Sequence, residues 1–145
     1  MTAAYFGGDA TANLIASPTA WKFVGPSALI SVGTGQRLLG SAMVPLATNT
    51  AAGYVYLDLC HQPAAGGALV NFSADRHSVV KVDNTREAQA AVGVASAPAG
   101  ATRVGACVKA DGVNFTLDYN DWVNGWVQVL SSTVGVKPAA KGSRR

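Results

Sequence analysis

His61 and His77 are the only histidines in the chain, and His77 sits in the polar run Asp75-Arg76-His77-Ser78. An imidazole acts as a general acid or base only when a partner orients it beside a substrate pocket. Asp75 and Ser78 lie too near His77 in sequence to align with it as a triad. The run is therefore expected to be a surface turn, and no catalytic residue is assigned. His61 follows Cys60, but no CxxC spacing accompanies the pair, and two cysteines alone cannot build a zinc site.

Asp118, Asn120 and Asp121 lie within four residues, with Asp111 and Asn114 just upstream. Oxygen ligands at that density suit calcium. The run lacks the glycine and the distant glutamate of an EF-hand loop, and such side chains also bond their own backbone in turns. The expectation is no cofactor, with this turn as the weak calcium candidate. Gly33-Thr34-Gly35-Gln36-Arg37 is glycine-rich but precedes no helical pattern, which excludes a phosphate loop.

Cys60 and Cys107 are the only cysteines. Each lies near the end of a strong strand pattern. A cross-strand disulfide and two half-buried free thiols both fit this placement. Trp122 and Trp126 are four apart, with Tyr119 just before them, and Tyr54 and Tyr56 alternate in an earlier strand. Aromatic rings in a row on a sheet face stack on sugar rings or form a core or a subunit interface.

The elements that position these residues read as strands, because apolar residues recur with period 2. Expected strands cover 21–24, 28–32, 38–46, 53–60, 68–72, 78–82, 86–95, 102–109, 113–117 and 122–130. Pro45 argues that its strand is an edge or carries a bulge. Asp111-Gly112 is a hairpin turn signal. The 122–130 strand is apolar on both faces, so it is either central or pressed against a partner. The spacing predicts an all-β chain: one antiparallel β-sandwich or jelly roll of about eight to ten short strands.

Only 13% of the residues are charged, against roughly 25% in an ordinary soluble domain. Such a surface has too little polar material to stand alone, which points to an assembly component. The net charge of +3 is uneven. Lys137, Lys141, Arg144 and Arg145 close the chain, while residues 1–133 hold seven basic and eight acidic side chains. The division read from the sequence is an N-terminal arm or edge strand (1–18), a sandwich (19–133) and a basic tail (134–145). The tail is a candidate contact with an acidic neighbouring surface. The body has no basic stripe, so sequence-specific nucleic-acid binding is not expected. No apolar run approaches the about 20 residues that span a bilayer, and no basic residue precedes Lys22, so no secretory leader is read there.

Cys60, the run Ala101-Thr102-Arg103-Val104-Gly105-Ala106-Cys107 and the run Asn120-Asp121-Trp122-Val123-Asn124-Gly125-Trp126 resemble a loose group of bacterial and phage β-sandwich proteins. In architecture, residues 28–130 also resemble the small trimeric decoration proteins of tailed-phage heads and the tips of tail fibres. The resemblance brings no catalytic residues. It implies a structural role on a virion surface, as a homo-oligomer and in particular a trimer, with other virion proteins such as a capsid protein as partners. The alternative is an extracellular carbohydrate-binding or adhesin module that uses Tyr54, Tyr56, Trp122 and Trp126.

Overall fold

A computed structural model of the chain describes residues 2–75 and 77–131. These residues form twelve strands and no helix. The strands are β1 (Thr2–Asp9), β2 (Leu14–Ala16), β3 (Lys22–Phe23), β4 (Ala28–Val32), β5 (Arg37–Leu46), β6 (Gly53–Pro63), β7 (Val70–Asn71), β8 (Ser78–Val82), β9 (Glu87–Ser96), β10 (Gly100–Ala110), β11 (Phe115–Leu117) and β12 (Trp122–Leu130). One sheet has four strands in the order β1-β12-β5-β9. The other has six: β10 and β6 lie at its centre, β3 and β4 run along the far side of β10, and β7 and β8 along the far side of β6. β11 pairs with β2 as a separate short ribbon. Every pairing is antiparallel.

β4, β5, β6, β9, β10 and β12 cross back and forth, with β4, β6 and β10 in one sheet and β5, β9 and β12 in the other. This is the all-β sandwich that the alternation predicts. The core lies between the sheets. Leu38, Val44, Val123 and Val127 face Val55, Leu57, Leu59, Val104 and Val108, all essentially without solvent exposure. Strict alternation of buried and open positions along β4 and β5 follows from the two-residue period of a pleated strand.

Two of the strands lie in a segment too poor in large apolar residues to show a period. β1 and β2 fall within residues 2–16, where Ala, Gly and Thr dominate, and they raise the strand number above the eight to ten expected. β1 is an edge strand paired with β12 from Thr2↔Val129 to Asp9↔Trp122. Phe6 anchors it: the buried ring lies over Gly125 on the facing strand, and a Cβ at Gly125 would overlap that ring. Burying such a side chain stabilises by about 1.5–3 kcal/mol. Leu14 and Ala16 bury their side chains from β2.

Two local expectations change. Pro45 lies on β5, which is central rather than an edge. The β5–β12 ladder ends at Asn124↔Met43, and the Pro45 carbonyl accepts from Asp121 N–H at 3.3 Å. The proline nitrogen therefore points to the same side, past the end of the ladder, where no donor is required. Asp111-Gly112 does turn the chain, but β11 pairs with β2 and not with β10, so no simple hairpin forms there.

Candidate interaction surface

The two outer faces of the sandwich differ in chemistry. On the four-stranded sheet the outward positions line up in rows across the strands. One row runs Tyr5–Trp126–Ser41–Val92, the next Gly7–Asn124–Met43–Ala90, and another Ala3–Gln128–Leu39–Val94. Among the described residues, the charged side chains of this face stand at strand ends, Asp9 at the end of β1 and Arg37 at the start of β5. Exposure is high where the side chains are apolar: Tyr5 81%, Val92 69%, Trp122 51% and Met43 48%. Tyr5, Ser41, Met43, Asn124 and Trp126 surround an open depression of about 550 Å³, with Gly7 and Ala90 also in its lining. Trp122 Nε1 donates to Asn124 Oδ1 at 3.1 Å. β12 is thus central in its sheet and also presents an open apolar side.

The outer face of the six-stranded sheet carries Tyr54, Tyr56, Asp58 and Cys60 on β6, and Arg103, Cys107 and Lys109 on β10. It is partly covered by chain. Cys60 and Cys107 are joined in a disulfide with Cα atoms 5.7 Å apart. Both are fully buried, although their strand positions belong to the more polar face, because neighbouring segments lie over it. Asp58 organises that cover. It is 2% exposed, and its carboxyl accepts from Leu59 N–H, Asn71 Nδ2, Ser73 N–H and the Ser73 hydroxyl.

His77 packs between Tyr56, 4.4 Å away between ring centroids, and Trp21, 5.4 Å away. Its Nδ1 lies 3.1 Å from the Ala74 carbonyl. These contacts pin the chain that follows β7 to the segment before β3. The Tyr56 hydroxyl donates to Asp111 Oδ1 at 2.6 Å, and this bond holds its proton and pushes its pKa up. His61 faces the interior: it is 4% exposed, its ring meets Phe72 at 6.0 Å, and burial lowers its pKa.

The Asp118–Asp121 turn spends its oxygens on the fold. Asp118 Oδ1 accepts from Asn49 N–H at 2.7 Å, and Asn120 Oδ1 accepts from Ala47 N–H at 3.2 Å. Asp121 Oδ2 meets Arg86 at 2.7 Å, and its Oδ1 accepts from Trp122 N–H. The Arg86 guanidinium lies 4.0 Å over the Tyr119 ring. Among the described residues, no group of three or more His, Cys, Asp or Glu side chains is placed to hold a metal ion.

The aromatic residues singled out in the sequence are therefore not one site. Trp122 and Trp126 share the outer face of the four-stranded sheet, Tyr54 and Tyr56 belong to the opposite face, and Tyr119 is tied to Arg86 beyond the sheet end. Tyr5, Met43, Val92 and Val94 join the tryptophans and were not singled out. The signal for the two valines was the second apolar parity of β9, Ala88, Ala90, Val92 and Val94, which repeats the two-sided character of β12. Lys137, Lys141, Arg144 and Arg145 lie outside the described residues. Comparison with protein-family models, curated proteins and solved structures finds no match.

Proposed function

We propose that the chain is a structural assembly subunit, a homo-oligomer that buries the outer face of its four-stranded sheet against neighbouring copies. One observation carries this reading: among the described residues, charge stands on that face only at the strand ends, at Asp9 and Arg37, while Tyr5, Met43, Val92 and Trp122 lie open on it. A contiguous apolar patch on a sheet face is characteristic of a protein contact, and contacts between identical subunits are more apolar than ordinary surface. The trimeric form and the place on a virion surface, with a capsid or tail protein as a further neighbour, follow from the phage resemblance and belong to the same proposal. The buried disulfide favours assembly or residence in an oxidising setting.

Light scattering after size exclusion tests the reading. The wild-type chain is expected at a multiple of its 14.8 kDa mass. Met43→Lys, which places a charge in the middle of the face, is expected to release the single chain without unfolding it. A wild-type monomer at high concentration would contradict the proposal.

A further inference from the structure

At one end of the sandwich, away from the Tyr5–Trp126 face, a second depression of about 430 Å³ lies between residues 50–54 and 111–116. Its volume falls within the range of about 300–1,000 Å³ typical of small-molecule sites. Tyr54, 53% exposed, and Val113, 72% exposed, line it together with Phe115, Asp111, Asn114 and Thr116. Its two sides are fixed to each other. Asp111 N–H donates to the Tyr54 carbonyl at 3.2 Å, Gly112 takes a φ of +86° that turns the chain back, and the Phe115 ring occupies the space a side chain at Gly53 would fill.

We infer that this depression is a binding site for a neutral saccharide, with Tyr54 as the stacking ring and Asp111 and Asn114 as the hydrogen-bonding pair. A pyranose has an apolar C–H face and a rim of hydroxyls, and it needs both kinds of partner at once. Tyr54, Val113 and Phe115 supply the apolar part. The Asp111 carboxyl is pre-oriented, because Tyr56 holds its Oδ1 at 2.6 Å and leaves Oδ2 to accept from a ligand hydroxyl. The Asn114 amide both donates and accepts, and Thr50 and Thr116 add hydroxyls to the lining. Among the described residues, Asp111 is the one charged side chain in that lining, and no Lys or Arg there favours an anionic ligand. Because the site uses none of the residues of the proposed assembly face, its ligand and the oligomer are independent.

A glycan array probed with the intact, disulfide-bonded chain tests this, followed by calorimetric titration of the best neutral oligosaccharide. Saturable binding is expected. Tyr54→Ala and Asn114→Ala are each expected to weaken it about tenfold or more, a change of about 1.4 kcal/mol, while Trp126→Ala leaves it unchanged. Tyr54 and Asn114 are exposed, so thermal melts of their variants are expected to stay at the wild-type value. The inference is overturned if no neutral glycan on the array binds saturably, if binding survives Tyr54→Ala, or if Trp126→Ala abolishes it.

Discussion

Asp58 on β6 holds Ser73, fifteen residues further along the chain, by two contacts. Its Oδ2 accepts from the Ser73 backbone N–H at 2.9 Å, and its Oδ1 accepts from the Ser73 hydroxyl at 3.2 Å. The same carboxyl takes Asn71 Nδ2 at 2.9 Å. One buried side chain thus straps the segment after β7 to β6. Removing it leaves the buried Leu59 N–H and the half-buried Asn71 and Ser73 donors without that acceptor, which is the costly direction of hydrogen-bond loss. Asp58→Ala is expected to destabilise by about 3 kcal/mol. In hydrogen exchange, the Ser73 amide is expected to lose protection before the amides of β10 do. Equal protection of Ser73 in wild type and variant would show that the strap is held by something else.

The N-terminal strand depends on a missing side chain. Gly125→Ala would drive a methyl into the Phe6 ring. The expected cost is about 1–3 kcal/mol, typical of overpacking, with β1 displaced from β12. Proteolysis reads this directly: the variant should be trimmed within residues 2–9 under conditions that leave the wild type intact. Phe6→Ala in the same background should relieve the clash but forfeit the burial of the ring, so the two substitutions together should cost less than the sum of their separate costs.

Cys60 and Cys107 are separated by 47 residues in sequence. Closing a loop of that size stabilises by about 4 kcal/mol in the chain-entropy model. The double variant Cys60→Ala with Cys107→Ala is expected to lose that amount in urea unfolding. Because both sulfurs are fully buried, reductant alone should act slowly on the native chain and rapidly once urea opens it. Prompt native-state reduction would contradict the burial.

His61 makes stability pH-dependent. Burial lowers its pKa from the ordinary 6.5, so the folded chain favours the neutral ring while the unfolded chain takes up a proton more readily. Below pH about 6.5 the unfolded state binds more protons, and stability falls as pH falls until the folded-state pKa is passed. Each unit separating the two pKa values is worth about 1.4 kcal/mol. The urea midpoint should therefore drop between pH 7 and pH 5, and His61→Leu should flatten that slope. An unchanged slope in the variant would assign the acid sensitivity to another group.

The strands of the sandwich were legible wherever large apolar residues alternate, as in β6 with Val55, Leu57 and Leu59 against Tyr54, Tyr56 and Asp58. β1 was legible only as the edge-strand alternative for residues 1–18, and β2 was not legible, because Thr2–Asp9 offers Phe6 as its one large buried residue and sets Tyr5 in solvent among Ala and Gly. The strand pattern of β6 and β10 left the state of the two cysteines open, since strand parity placed them on a polar face and could not show that they would be buried there. The tryptophans of β12 were legible as one face. Their neighbours Tyr5, Met43 and Val92 come from three other strands, and only the register between strands brings them together. The same register separates Tyr54 and Tyr56 from them, which no count of aromatic residues could reveal.

The central claim concerns which face is covered, and hydroxyl-radical footprinting of the oligomer against the dissociated Met43→Lys variant tests it most directly. Tyr5, Trp122 and Trp126 are expected to be several-fold less reactive in the oligomer, while Tyr54 and Tyr119 react equally in both. Full reactivity of Tyr5 and Trp122 in the oligomer, with protection at Tyr54 instead, would place the contact on the opposite sheet and contradict the account.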